Sequence, residues 1–480
     1  MKNKLTQGET SEKNVWLYSF GNFANNIMFM MVAMYVMYFY TNILGVSAAV
    51  AGTIFMVARL IDAVTDPLMG TIVDRTNTKK FGKYRPFIIF GAPLLGIAFV
   101  MLFITPNLGP TGKIIYAYVS YIFYSLTWTI VQIPQLALPI ILSKNITRRT
   151  RVQAIFQTLG AVGVMIIQSW ALPMLNFFGG MDNAAAWSKV AIIYSVVATI
   201  LFILSSLSVR NLDVYEYHEK KSKNKKDKPK VTLGQAFQAV LKNKALLCVL
   251  LAYSTDMFAY QISSALRVYF FKYNLNGRTD LMVYLGYVSL VAAIISIFVI
   301  ASYVKKMGKR LGIGIVEALS LITMLIVLYA TPRQNISLVM FGMIANLFMF
   351  SFTNMLARAA VLDSANYAEL KTGVDNNALV SSTFTFMNKV CQAISVFFAG
   401  TILSYTGYNP DLVQQADGTL NGILYLMTLV PIVAYICSLI AMYFYPLTRQ
   451  DEIEMEERLV KMHSQNQGTQ IEIGEGLVQT

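Results

Sequence analysis

The amino-acid sequence predicts an all-α membrane protein of about twelve transmembrane helices in two pseudo-symmetric six-helix halves. Three observations carry that prediction. The chain is 56% hydrophobic and only 13% charged, too little charge to cover a soluble protein of this length. Continuous apolar runs of about 18 residues or more recur along it, each long enough to cross the hydrocarbon core. One long hydrophilic segment divides these runs six and six. The runs do not alternate in polarity, which excludes a β-barrel. Inside a bilayer, where no water satisfies backbone polar groups, they must therefore be helices.

In order, the predicted spans are 15–44, 48–73, 86–105, 113–142, 152–177, 187–209, 245–272, 280–304, 311–331, 336–362, 376–406 and 420–446. The first, fourth, tenth and eleventh are long and are expected to tilt or to project from the membrane. Positive charge alternates between loops. Arg75, Lys79, Lys80, Lys83 and Arg85 follow the second span, and Lys144, Arg148, Arg149 and Arg151 follow the fourth. Arg210 and the run from Lys220 to Lys230 follow the sixth; Lys305, Lys306, Lys309 and Arg310 follow the eighth. The intervening loops carry only Lys113, Lys189, Lys272, Arg278 and Arg333. The basic loops are therefore expected on the cytoplasmic side, together with both termini, in a multi-pass protein of the cell (inner) membrane. The net charge of +14 is explained by this topology and calls for no nucleic-acid partner.

The segment YHEKKSKNKKDKPK (217–230) is too charged to pack and reads as a flexible linker; LGQAFQAVLKN (233–243) reads as a surface amphipathic helix. The expected organisation is a six-helix bundle over 1–210, a cytoplasmic linker over 211–244, a second bundle over 245–447 and a cytoplasmic tail over 448–480. The tail opens with the acidic helical pattern DEIEMEERLVKM. KKFGKYRP (79–86) and KKMGKR (305–310) fall after the second span of each half, a hint of internal repetition. Cys248, Cys391 and Cys437 lie within spans with no metal or redox spacing. The polar start to about Asn14 and the long first run predict no cleavable signal peptide.

Ionisable residues within spans are costly and are functional candidates by default. The densest cluster is Arg59, Asp62, Thr65 and Asp66, followed by Pro67. Asp62 and Asp66, one turn apart, share a helical face, and Arg59 lies on the same side. Two carboxylates so close can hold a small cation through oxygen ligands or share a proton. Thr65 adds a hydroxyl beside them, and a salt bridge from Arg59 would satisfy one carboxylate. In span four, Thr129 and Gln132 lie one turn apart near Pro134; hydroxyl and amide suit sugar hydroxyls, and Trp128 suits stacking on a sugar ring. Asn22, Asn25 and Asn26 suggest a polar cavity lining in span one. Asn388 and Lys389 lie in span eleven after Ser381, Ser382, Thr383 and Thr385, and a lone intramembrane lysine requires a carboxylate, Asp62 or Asp66, or an aqueous cavity. Asp74 and Arg75, beside the basic loop, are candidates for a cytoplasmic gate. Asp256, Arg267 and Glu317 are further intramembrane charges left outside this site.

At these residues the chain resembles the glycoside–pentoside–hexuronide:cation symporters, the melibiose-permease-like branch of the major facilitator superfamily. GTIFMVARLIDAVTDPLMGTIVDRT (52–76) with GKYRPFI (82–88) looks like that family's second span and following loop. VLDSANYAELKTGVDNNALVSSTFTFMNKV (361–390) and YPLTRQ (445–450) look like its eleventh span and C-terminal junction. The resemblance implies the major facilitator fold with alternating access, Asp62 and Asp66 as cation-site aspartates, Thr129 as a hydroxyl ligand, and Lys389 as the span-eleven lysine near both sites. Thr65 stands where melibiose permease has asparagine. Asn26 and Gln132 stand where that permease has aspartates, and Ala154 falls at a span-five arginine. These departures point away from melibiose-type galactosides. A neutral xyloside or another glycoside suits the amides, whereas a hexuronide would call on Lys389 or Arg59.

The expected function is secondary transport of a sugar with sodium or a proton. Asp62, Asp66, Thr65 and Thr129 would hold the cation, sodium binding at Asp62 and Asp66. Asn25, Asn26, Trp128, Gln132, Asn388 and Lys389 would meet the sugar, and Arg59, Asp74 and Arg75 would act as gates or charge partners. No cofactor beyond the coupling cation is expected. An amphiphile or lipid transporter on the same fold is the alternative, opposed by the amides of spans one, four and eleven. An intramembrane enzyme is disfavoured because no span holds a histidine (His218 falls in the linker, His463 in the tail), and a channel because no filter sequence repeats.

Overall fold

The computed structural model describes residues 11–138, 142, 146–215, 243–372, 377–455 and 457–458. The linker 217–230, all but the last residue of the segment 233–243, Lys144 and the tail beyond 458 lie outside these residues.

Eleven α-helices are described: α1 (Glu12–Met31), α2 (Ala48–Arg75), α3 (Arg85–Met101), α4 (Pro110–Ala137), α5 (Ile146–Phe177), α6 (Ala184–Ser208), α7 (Lys244–Tyr269), α8 (Met282–Ala330), α9 (Ile336–Thr372), α10 (Asn377–Tyr405) and α11 (Asp417–Tyr443). Ten membrane-length apolar helices arise among the described residues, α8 supplying two of them, and α3 is a shorter apolar helix. Wider π-turns over Val32–Val36 and Phe39–Ile43 carry α1 onward, and another over Phe270–Asn274 extends α7.

The local signals explain the helix ends. Ser47 accepts from the backbone N–H of Val50 and caps α2, and Asn243 caps α7 through Leu246 N–H. Tyr84, before α3, makes no side-chain cap. Its place is taken by Asp213, whose carboxylate accepts from the backbone N–H groups of Lys83, Tyr84 and Arg85 at 2.9–3.0 Å, an acidic group at the positive end of a helix.

The basic stretch 305–310 departs from the expected loop. Helical backbone runs through it except at Gly308, where φ is 73°. That left-handed conformation favours glycine. The chain folds back there, so that the Tyr303 hydroxyl donates to the Gly312 carbonyl at 3.3 Å. One glycine thus does the work assigned to a loop.

Each helix turns its apolar side chains two ways. Along α2, Leu60, Val64, Leu68 and Ile72 follow one another at i, i+4 spacing and are all exposed, as a lipid-facing stripe requires. Asp62, fully buried, faces inward. Helices α1–α6 pack with α7–α11 along two seams. In one, α2 crosses α10 closely: a Cβ on Gly52 would lie 3.1 Å from the Phe397 backbone. In the other, Ser169 of α5 donates to the Val283 carbonyl at 2.8 Å and Ser289 of α8 donates to Gln168 at 2.7 Å.

Candidate functional site

Asp62 lies on the inward face of α2, and each of its oxygens is taken. Oδ2 accepts from Arg59 Nη1 at 2.9 Å, and Oδ1 accepts from Ser125 Oγ of α4 at 2.6 Å. One turn on, Asp66 is held differently. Its Oδ1 accepts from Thr129 Oγ1 at 3.0 Å, while Oδ2 pairs with Lys389 Nζ of α10. The two carboxylates are therefore divided between two cations, one on their own helix and one across the seam to the C-terminal group. Thr65, between them in sequence, has a buried hydroxyl with no hydrogen-bond partner. Five oxygen-bearing side chains, Asp62, Thr65 and Asp66 of α2 with Ser125 and Thr129 of α4, thus fall within one turn of α2 and the facing turn of α4.

Arg59 also lies over the Trp128 ring, 5.9 Å from its centroid, in cation–π range. The indole is fixed twice more: Trp128 Nε1 donates to Asn25 Oδ1 at 2.9 Å, and Phe29 stacks on the ring at 5.7 Å. A narrow cavity opens beside these groups. Phe29, Arg59, Ser125 and Trp128 line it from the N-terminal helices, and Gln261 and Gln392 line it from α7 and α10.

Other expected residues fall elsewhere. Asn26 donates to the Asn22 side chain at 3.0 Å and to its carbonyl, and Asn22 donates to the Phe156 carbonyl at 2.8 Å, so these two amides tie α1 to itself and to α5. Gln132 is half-buried and is not among the residues lining the cavity. Asn388 accepts from Gln392 at 3.2 Å, which places it next to the lining. Asp74 lies about 18 Å beyond Asp62 by the helical rise. It accepts from Lys83 at 2.6 Å, and Arg75 beside it is exposed. The side chains of Ser381 and Ser382 lie outside the described residues. Sequence reasoning passed over Ser125, Gln261 and Gln392. Each is an uncharged polar residue in a predicted span, and such residues commonly bond helix to helix.

The two helix groups are also joined at the end of the bundle where α1 finishes. Thr41 and Tyr269 hydroxyls meet at 2.6 Å. Asn42 donates to the Tyr273 hydroxyl at 3.1 Å and accepts from Tyr408 at 2.8 Å. Lys272 donates to the Tyr38 hydroxyl at 2.7 Å and pairs with Asp182 at 3.0 Å. At the other end, the ion pairs seen among the described residues stay within one group: Asp74 with Lys83, Glu12 with Arg151, and Lys309 with both Asp363 and Glu452.

Charges buried at membrane depth and shared across a seam between two groups of helices are the architecture of a secondary membrane transporter. The chain belongs to the MFS/sugar transport protein family, which it matches over residues 17–449. It is 31% identical over 471 residues to the uncharacterized symporter YjmB of Bacillus subtilis (strain 168), covering 96% of this chain and 98% of that one. It is also 31% identical over 452 residues to the isoprimeverose transporter of Lactiplantibacillus pentosus, covering 93% and 91%. Among solved structures, a bacterial homologue of the human lysosomal transporter Spinster, inward-facing and unoccupied, superimposes with a TM-score of 0.65 at 13% identity, over 92% of this chain and 97% of that one. The nucleoside transporter NupG does so at 0.61 and 13%, over 91% and 100%. At such identities these two matches speak for the fold alone. This family match agrees with the glycoside:cation symporter resemblance carried by 52–76 and 361–390.

Proposed function

We propose that the protein takes up a sugar (a glycoside, pentoside or hexuronide) together with sodium or a proton, by alternating access. The observation that carries this reading is the split pairing of two neighbouring carboxylates, Asp62 with Arg59 and Asp66 with Lys389. A cation reaching Asp66 competes with the Lys389 ammonium for the same oxygens. Binding would release Lys389 toward the cavity and loosen one tie between α2 and α10. In this way ion binding changes the relation of the two helix groups, and a sugar that prefers the altered arrangement is coupled to the ion by differential affinity.

Sodium is the first choice of ion. Asp62, Asp66, Thr129 and the unpartnered Thr65 hydroxyl would supply an oxygen cage, and the two carboxylates would supply its charge. The sugar would lie between the groups. Trp128, already fixed by Asn25 and Phe29, would offer a flat apolar face; Gln261, Gln392, Asn388 and Lys389 would meet hydroxyls, with Gln132 and Asn26 at the margin. Amides both donate and accept, which matches sugar hydroxyls and gives an apolar amphiphile nothing to compensate their desolvation. The full chain is read as twelve helices in two bundles, 1–210 and 245–447, joined by a cytoplasmic linker over 211–244 and followed by a tail over 448–480. Both termini would face the cytoplasm, with Asp74 and Arg75 at the cytoplasmic gate.

Uptake of labelled glycosides, pentosides and hexuronides into proteoliposomes, under separately imposed sodium and proton gradients, tests the proposal. Accumulation of at least one sugar driven by one of the two gradients is expected. Sugar flux that is indifferent to both gradients would refute coupling.

A further inference from the structure

The C-terminal helices hold a second pair of carboxylates that the cation site does not use. Asp256 of α7 is 3% exposed, and Glu317, on the part of α8 after Gly308, is fully buried. The two face each other, and Thr353 of α9 and Ser438 of α11 face Glu317 as well. None of the four carboxylate oxygens, nor either hydroxyl, closes a hydrogen bond of ordinary geometry. Thr353 and Ser438 are themselves 4% and 0% exposed. Among the described residues, no lysine, arginine or histidine forms an ion pair with either acid.

From α7, Tyr253 also approaches Asp256; Arg358 of α9 reaches that tyrosine and not the acids. Tyr435 of α11 approaches both carboxylates, and Asn346 of α9 donates to its hydroxyl at 3.1 Å. Cys391 of α10 faces Ser254 of α7. Among the described residues the neighbourhood is thus hydroxyl, phenol, thiol and amide, with no cationic ion-pair partner. Two ionised carboxylates buried together without a counter-charge are prohibitively unstable. A single proton between them removes the like-charge repulsion and turns one acid into a donor, leaving the hydroxyls of Thr353 and Ser438 to donate to the remaining oxygens.

We propose that Asp256 and Glu317, with Thr353 and Ser438, form a proton-binding site in the C-terminal helix group, separate from Asp62 and Asp66. A hydronium ion of the aqueous phase gives its proton to one carboxylate oxygen: one O–H bond breaks, one forms, and a water molecule leaves. The four residues lie on four different helices, α7, α8, α9 and α11, so the proton also joins the core of that group.

Infrared spectroscopy of the full-length protein in lipid nanodiscs tests this. At neutral pH the wild-type protein is expected to show a carboxylic-acid C=O band that shifts in D2O. Glu317→Gln and Asp256→Asn should each lose it, and the double variant Asp62→Asn/Asp66→Asn should keep it. Replacing potassium by sodium at constant pH should leave the band unchanged. A wild-type spectrum without such a band overturns the proposal, and this measurement needs no variant to fold. A band that survives in both Glu317→Gln and Asp256→Asn also overturns it. Loss of the band on adding sodium would make the six oxygens a metal cage and overturn the proton assignment.

Discussion

Replacing Arg59 by methionine keeps the length and packing of its stem but strands Asp62. The pair is enclosed: the Arg59 side chain is 10% exposed and that of Asp62 is 0% exposed. Removing one partner of a buried ion pair costs about 3–5 kcal/mol, because the remaining charge is left uncompensated. Ser125 stays on the other oxygen of Asp62 but supplies no charge, so it softens the loss without cancelling it. Neutralising the acid as well, in Arg59→Met/Asp62→Asn, removes the stranded charge, and an asparagine carbonyl can still accept from Ser125. Most of the lost stability should return, with a coupling energy of about 2–3 kcal/mol at the upper end for residues in direct contact. SDS unfolding in mixed micelles, applied to wild type, both single variants and the double variant, completes the cycle. If Arg59→Met unfolds at the wild-type midpoint, or the double variant is no more stable than Arg59→Met, then Arg59 does not neutralise Asp62 in the folded protein and the division of the carboxylates between two cations is wrong.

Asp62→Asn is expected to abolish cation-driven accumulation while leaving sugar exchange; accumulation of labelled sugar at the wild-type rate would remove Asp62 from the coupling site. Gln261→Ala and Gln392→Ala should each weaken sugar binding about tenfold, the worth of one or two hydrogen bonds, with less effect in Gln132→Ala, as read by isothermal titration calorimetry. Tyr269→Phe removes the hydroxyl bond to Thr41 and should destabilise the joined end of the bundle by about 1 kcal/mol, seen as faster amide exchange in Phe39–Ile43; unchanged exchange would show that this bond does not hold that end together. Near the C-terminus, burial raises the Glu452 carboxyl above its ordinary value, and Lys309 offsets only part of that rise. For an acid raised in this way, the stabilising contribution is fully present below the unfolded value and is lost as pH rises through the folded one. Exchange-rate-corrected protection of the helical residues 450–455 should therefore fall from acid toward neutral pH in wild type and stay flat in Glu452→Gln.

The sequence made the helices readable because a membrane demands long apolar runs, and most described helices begin and end near the predicted spans, although α9 continues to Thr372, ten residues past the predicted end at 362. It did not make the turn at Gly308 readable. Basic residues on both sides signal a loop, whereas a single positive φ lets helical backbone continue up to the reversal. At the site, Asp62 and Asp66 stood out because carboxylates in an apolar run are rare, and their shared face followed from helical spacing. Their assignment to different cations was only partly legible. Arg59 is three residues from Asp62, a local relation. Lys389 is more than three hundred residues from Asp66, so a sequence can say that it needs a carboxylate but not which one. Ser125, Gln261 and Gln392 left no signal, since an uncharged hydroxyl or amide in a span is ordinary. Asp256 and Glu317 were visible singly, and they become a pair only because α7 and α8 both pack against α9 and α11.

The joined end of the bundle fixes how hard the two helix groups are to separate there. Four side-chain hydrogen bonds centred on Tyr38, Thr41 and Asn42 cross between them. At a net worth of about 0.5–1.5 kcal/mol for each, they total about 2–6 kcal/mol. Reversing a two-state population from 1:99 to 99:1 takes about 5.5 kcal/mol. The hydrogen-bonded part of the closure is therefore of the size that one ligand's preference can undo, with the packing of Tyr38 on Tyr269 added to it. A wall of interlocked leucines would have been too strong to toggle, and bare water too weak to hold. Phenols give a latch whose strength is matched to its key.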